Sequence, residues 1–127
     1  VPLPRVDVLV ACVGLTDIQW ENGLAEISLI VDPERAKCGH GAAAVKLVLA
    51  EAFDRLRLET VFGEVYSCNP ATDFWIKVTE PYGAVAVRLP RRKFWNGQLF
   101  DSLYFSIARE DWEKHGRDTH SDTLPPA

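Results

Sequence analysis

Apolar and polar positions alternate along this chain in short runs that suit strands, broken once by a longer helical period. Val6–Leu15 is rich in Val, Leu and Ala and reads as a buried strand. Trp20-Glu21-Asn22-Gly23 supplies a turn, with Asn-Gly as the hairpin signal. Leu24–Val31 then alternates, with Ala25, Ile27, Leu29 and Val31 on one side and Leu24, Glu26, Ser28 and Ile30 on the other. The two segments are expected to pair antiparallel.

Beyond Gly41 the period changes. Val45, Val48, Leu49, Ala52, Phe53 and Leu56 recur at helical spacing and define one buried face of a helix running to about Arg57. Thr60–Tyr66 is β-branched and aromatic, a third strand that ends at Ser67-Cys68-Asn69-Pro70. Asn69 is expected to cap, and Pro70 to open, a short aromatic helix from Ala71 to about Val78. Gly83–Leu89 reads as a strand, Arg91-Arg92-Lys93 as an interruption, Asn96-Gly97 as a second turn and Leu103–Ile107 as the last strand. The order β-β-α-β-α-β-β predicts a mixed sheet covered by helices, of α+β or α/β class.

At 127 residues the chain is one domain's worth, and 47% hydrophobic with 25% charged residues is the balance of a globular protein. The domain is placed at residues 1–113, and the polar tail 114–127, ending Pro-Pro-Ala, is expected to be disordered. A net charge of −4 argues against a general nucleic-acid binder. No apolar run approaches the ~20 residues of a membrane span, and Val1–Val13, with Asp7 and two prolines, does not read as a signal peptide. Three cysteines with no close pair point to a reducing cytoplasm rather than a disulfide framework. Cys12, Cys38, Cys68, His40, His115 and His120 show no chelating spacing, so no metal is expected.

The chemistry concentrates at Gly39-His40-Gly41, between a strand and an amphipathic helix. Exposed N–H groups at a helix N-terminus suit a phosphate or pyrophosphate, because the orphan amides and the macrodipole both favour an anion. The same glycines also read as a plain turn, or as part of a nucleotide-binding regulatory domain. No Gly-Lys-Ser/Thr follows, so this is not a P-loop.

A longer series carries more. It comprises Val13-Gly14-Leu15-Thr16-Asp17-Ile18, Trp20-Glu21-Asn22, Ala25-Glu26-Ile27, Asp32-Pro33-Glu34 and Gly39-His40-Gly41-Ala42. It continues through Ala52-Phe53, Leu56-Arg57-Leu58, Val65 with Asn69-Pro70-Ala71, Trp95-Asn96-Gly97, Asp101 and Tyr104-Phe105-Ser106-Ile107. In order and spacing, Leu9 to Trp112 resembles the GCN5-related N-acetyltransferase (GNAT) family, most closely its ribosomal-protein N-acetyltransferase-like branch.

That resemblance implies a GNAT-like acyl-CoA N-acyltransferase fold and acetyl-CoA as co-substrate. It implies that backbone groups of Leu29, Ile30 and Val31 pair with the pantetheine arm, and that amides of Cys38, Gly39, His40, Gly41 and Ala42 cradle the pyrophosphate. Asn69 would face the β-mercaptoethylamine, Trp75 would line the cleft, and the thioester would sit where two parallel strands splay apart. A primary amine, on a small molecule or a protein N-terminus, would attack directly. Glu26 stands where relatives keep an acidic base, and Ser67 or Tyr66 is the candidate acid; the alternative for Glu26 is an outward strand carboxylate.

Three departures stand out. Ala36, with Arg35 beside it, replaces the usual arginine or glutamine before the glycines. Phe74-Trp75-Ile76 replaces a turn that carries a tyrosine acid. The family's N-terminal strand and first helices have no counterpart, as in an N-terminally truncated member. A catalytically degenerate acyl-CoA-binding or oligomerisation module of the same fold is therefore the alternative. Arg88, Arg91, Arg92 and Lys93 read either as a seat for a phosphate or acidic acceptor, or as a solvated hairpin edge. Trp75, Trp95 and Trp112 read as packing residues, and the uncovered sheet edge suggests a homodimer.

Overall fold

The turn at Trp20–Gly23 forms, with Gly23 at φ 64°, and joins strands β1 (Ala11–Gln19) and β2 (Leu24–Val31). The computed structural model describes residues 11–31 and 39–116. β1 and β2 pair antiparallel from Ala11↔Val31 to Thr16↔Glu26, then slip to Gln19↔Leu24 around Asp17, whose φ is 50°. The slip resets the alternation, so that Val13, Leu15 and Ile18 all pack against the core. That is why the first strand runs to Gln19 rather than ending at Leu15; the part before residue 11 lies outside the described residues.

Helix α1 (His40–Ala50) runs into a wider π turn at Glu51–Arg55. Val45, Leu49, Ala52 and Phe53 are buried as the spacing requires, and Val48 and Leu56 pack at the margin. Arg57 takes a left-handed φ of 59°, and the Leu58 N–H returns to the Ala52 carbonyl at 2.9 Å, which closes the helix.

Strand β3 (Thr60–Tyr66) starts where the Gly23 carbonyl accepts the N–H groups of Glu59 (2.7 Å) and Thr60 (2.9 Å). It runs parallel to β2 over only Leu24↔Thr60, Ala25↔Val61 and Glu26↔Phe62. Helix α2 (Thr72–Thr79) follows. Asn69 does cap locally, but its Oδ1 accepts from the Ala71 N–H (2.8 Å) while its carbonyl accepts the Thr72 N–H (3.2 Å). Pro70 therefore stands in this preceding turn, not at the head of the helix.

Strands β4 (Val85–Trp95) and β5 (Gln98–Ala108) form one long hairpin around Asn96-Gly97, whose φ values of 52° and 75° match a type I′ turn. The basic run does not interrupt this hairpin. It is absorbed as a bulge in β4, between the Leu89↔Ser102 and Lys93↔Phe100 rungs. Among the described residues the sheet has the order β1-β2-β3-β5-β4 and is mixed, as expected for the α+β class.

One face of the sheet carries Ala25, Ile27, Val61, Val65, Phe105 and Ile107, which bury against Val45, Leu49 and Phe53 of the first helical segment and Trp75 of α2. The other presents Glu26, Ser28, Phe62, Glu64, Tyr66 and Tyr104, none of which joins the buried cluster. There Phe62 and Tyr104 stack at 5.5 Å.

A final helical segment, Arg109–Asp111 and Trp112–Gly116, closes the core from the side. Trp112 is fully buried, with Phe53 at 6.0 Å and Tyr82 at 5.5 Å between ring centroids. The tail expected to be disordered from residue 114 is helical as far as Gly116, because the segment that buries Trp112 continues through it, and residues 117–127 lie outside the described residues. No helix among the described residues is long and apolar enough to cross a membrane.

Candidate active site

Parallel pairing between β2 and β3 stops at Glu26↔Phe62, and a cleft of about 160 Å³ opens beyond it. Its lining is Glu26, Ile27, Ser28 and Leu29 from β2, Glu64 and Val65 from β3, then Asn69, Trp75 and Phe105. Trp75 stacks on Phe105 at 5.0 Å, with Phe74 edge-on to Trp75 at 5.4 Å, so an aromatic floor props the gap from the helix side. From Ile27 to Val31, β2 pairs only with β1 among the described residues. The backbone edge that it turns toward the gap is free to pair with an extended, amide-bearing molecule.

Two carboxylates enter the cleft from the sheet's other face. Glu64 accepts hydrogen bonds from Arg92 Nε (2.8 Å), Arg92 Nη2 (3.3 Å) and Ser102 Oγ (2.5 Å). The Arg92 hydrogen bonds, helped by Ser102 and opposed by burial, hold its carboxyl below the ordinary value. Glu64 opposes Tyr104 on β5. Burial, then the charges of Glu26 and Glu64, push the Tyr104 phenol above its ordinary range, so it keeps its proton.

At the head of α1, Gly39 caps the helix in a left-handed conformation (φ 80°) without a side-chain hydrogen bond, and the first turn carries no acidic residue. Gly41 is buried and Ala42 exposed. Within the first turn itself no carboxylate competes for these amides, a geometry suited to an anion.

Of the residues expected from sequence, the fold brings Glu26, Leu29, Asn69 and Trp75 together in the cleft. Ile30 points away from the core and is 74% exposed, leaving only its backbone at the edge, and Val31 ends β2. Gly39, His40, Gly41 and Ala42 form the start of α1, while Cys38 lies outside the described residues. Ser67 is exposed in the turn after β3, its N–H on the Asp101 carbonyl (2.8 Å), and is not part of the cleft lining. Tyr66 lies on the open face under Lys93 Nζ, 5.6 Å from the ring centroid. Trp95, expected to pack, is 56% exposed because the hairpin carries it beyond the sheet.

Glu64 is not among the residues expected from sequence, and Arg92, expected in a basic cluster that seats an anion or forms a solvated hairpin edge, binds this carboxylate instead. The available signal was an acidic residue in the middle of the β-branched and aromatic run Thr60–Tyr66, where a charge is seldom buried without a partner.

The sequence profile described as the Acetyltransferase (GNAT) family matches residues 3–78. Among solved structures, a chimera of spermidine N-acetyltransferase SpeG from Vibrio cholerae and hSSAT is 24% identical, with TM-score 0.73 over 85% of this chain and 65% of that one. A mutant form of the spermidine/spermine N-acetyltransferase SpeG from Vibrio cholerae gives 24% identity and TM-score 0.74, over 84% and 61%. A dodecameric spermidine N-acetyltransferase from the same organism gives 24% and 0.72, over 83% and 60%. These likenesses establish the fold, and the chain spans 65% or less of the length of each of the three. No curated protein sequence matches the chain.

Proposed function

Because the chain belongs to the acetyltransferase (GNAT) family, we propose that it transfers an acetyl group from acetyl-CoA to a primary amine by direct attack. The observation that carries this reading is the splay of β2 from β3, which joins a free backbone edge, an aromatic floor and two carboxylates in one cleft. Acetyl-CoA fits the residues present. The edge from Ile27 to Val31 suits the amides of its pantetheine arm, and the acid-free first turn of α1 suits its pyrophosphate. Asn69 and Trp75 would flank the thiol end, and the bound molecule would supply the activated carbonyl.

The amine approaches from the sheet's open face. Glu64, held ionised by Arg92 and Ser102, attracts the ammonium form but is poorly suited to take its proton. Glu26, across the cleft, takes that role as general base, through water where the distance requires it. The thiolate of CoA is a stable enough leaving group to take its proton from water, Ser67 standing outside the cleft lining.

The acceptor is an amine of a small molecule or a protein N-terminus. Spermidine is the first small molecule to try, because it is named in the matched structures. None of those three names supports the ribosomal-protein branch, for which a peptide with a free N-terminus is the matching probe. The free thiols of Cys12 and Cys68 suit a reducing cytoplasm. Among the described residues the sheet ends at β1 and β4, and the hairpin tip exposes Phe94, Trp95 and Leu99, which supports a homodimer; sedimentation as a monomer would remove that part.

A catalytically silent acyl-CoA binder is the second reading, favoured by the absence of a hydroxyl at Phe74-Trp75-Ile76. Calorimetric titration with acetyl-CoA, followed by an amine panel with free thiol as readout, separates the two. Micromolar binding with amine-dependent thiol release is expected. Binding without turnover favours the silent module, and no binding overturns both.

A further inference from the structure

The bulge in β4 lies on an edge strand, where bulges and charges resist edge-to-edge pairing, but it also redirects a side chain inward. Pro90, Arg91 and Arg92 stand between two rungs where β5 offers only Asp101. Arg91 is driven to φ 57°, a conformation that costs a non-glycine residue, with its N–H on Asp101 Oδ1 at 3.3 Å. Uninterrupted alternation from Arg88, which pairs with Leu103 on the helix side, would send residues 90 and 92 to that side as well. The bulge breaks this parity. Arg92 instead reaches across β5 on the open face and grips Glu64 of β3 with Nε and Nη2, beside the Ser102 hydroxyl.

A salt bridge at a partly exposed position contributes little to stability by itself. Here the Arg92 side chain is 45% exposed and that of Glu64 18%. Stability is therefore a weak reason for a strained bulge, whereas re-aiming a side chain at a site is a recurrent one. The carboxylate so held lines the cleft, with Glu26 facing it from β2, Tyr104 and Ser102 from β5, Phe62 and Tyr66 from its own strand, and Arg92 and Lys93 from β4.

We propose that Arg92 is the positioning residue of the acceptor site, delivered by the Pro90–Arg92 bulge to fix Glu64 where it receives the positive charge of the incoming amine. This rests on the acyl-transfer reading above. A bidentate guanidinium fixes both the direction and the ionisation of the carboxylate, which an ammonium cannot do equally well.

The test uses the full chain with Arg92→Ala, Arg92→Lys, Glu64→Gln and the Arg92→Ala/Glu64→Gln double variant. Acetyl-CoA affinity is read by calorimetry, kcat and KM for spermidine and for a free-N-terminus peptide by thiol release, and folding by thermal melting. Arg92→Ala is expected to raise the amine KM on the order of tenfold, leave acetyl-CoA affinity unchanged, and move the acid limb of kcat/KM to higher pH. Arg92→Lys should restore the acid limb but only part of the KM. In the Glu64→Gln background, Arg92→Ala should add nothing. A folded Arg92→Ala protein with wild-type KM and pH profile overturns the assignment while the acyl-transfer reading stands. So does an Arg92→Ala effect that persists undiminished without Glu64. Wild-type protein that binds no acetyl-CoA overturns the acyl-transfer reading and this assignment with it.

Discussion

The Phe105 ring lies directly over Gly63, so that a β-carbon on Gly63 would stand 2.9 Å from Phe105 Cε1 and closer still to Cζ. The two residues are partners in the β3–β5 ladder, and Phe105 in turn carries Trp75 stacked at 5.0 Å. A hydrogen in place of a methyl thus lets the aromatic floor of the cleft settle onto the sheet. Gly63→Ala is expected to destabilise the fold by about 1–3 kcal/mol through overpacking. Chemical denaturation measures it, and adding Phe105→Leu should recover part of the loss. Unchanged stability of the single variant would mean that the strand yields and the floor is not tightly packed.

Trp112 joins the end of the chain's described fold to its first helical segment. It is fully buried, stacks on Phe53, and donates Nε1–H to Asp54 Oδ1 at 3.0 Å. Trp112→Ala should cost about 3–5 kcal/mol, as for other large-to-small core changes. Trp112→Phe keeps most of the ring volume but loses the donor, and about 1 kcal/mol is expected. Equal losses for the two variants in urea melts would show that the hydrogen bond, not the ring, dominates.

The legible part of this fold is the part governed by local period. Val45, Leu49, Ala52 and Phe53 sit four and three residues apart, and their burial follows from that spacing alone. The Asn-Gly turns at Gly23 and Gly97 are equally local, each adopting the positive φ that its residues favour. The hairpin, the bulge and the cleft lie outside that reach. Arg91-Arg92-Lys93 looked like a break because its charges have no local partner, while Glu64 lies 28 residues before Arg92. The cleft depends on where β3 meets β2, which Gly23 decides by accepting from Glu59 and Thr60. Placing Glu26, Leu29, Asn69 and Trp75 near one another required the family resemblance, and Glu64 appeared only with the register.

Acid should weaken this protein partly through Glu64. Its native carboxyl is held below the ordinary value of 4.5, chiefly by Arg92, so the unfolded chain binds more protons as the pH drops through that range. The contribution is complete above that ordinary value and is lost as pH falls through the lower native value. The stability gap between wild type and Glu64→Gln should therefore narrow on acidification, as read from denaturation midpoints at about pH 6 and about pH 3. A gap independent of pH would show that the Arg92 contact does not bias the ionisation of Glu64.

Glu26 and Glu64 share one cleft, yet the same substitution should affect them differently. Arg92 and Ser102 bind Glu64 and occupy its oxygens, which leaves it a fixed charge; among the described residues, no side-chain hydrogen bond or ion pair is drawn to the Glu26 carboxylate. A base must give up its interactions as it takes a proton, so the less encumbered carboxylate is the better one. Glu26→Gln is expected to lower kcat about 10²-fold with acetyl-CoA affinity unchanged, whereas Glu64→Gln should act mainly through the amine KM. Steady-state kinetics with saturating acetyl-CoA separates the two. If Glu64→Gln were the variant that abolished kcat, with Glu26→Gln near wild type, the roles would be exchanged, and the base would be the carboxylate that carries a guanidinium.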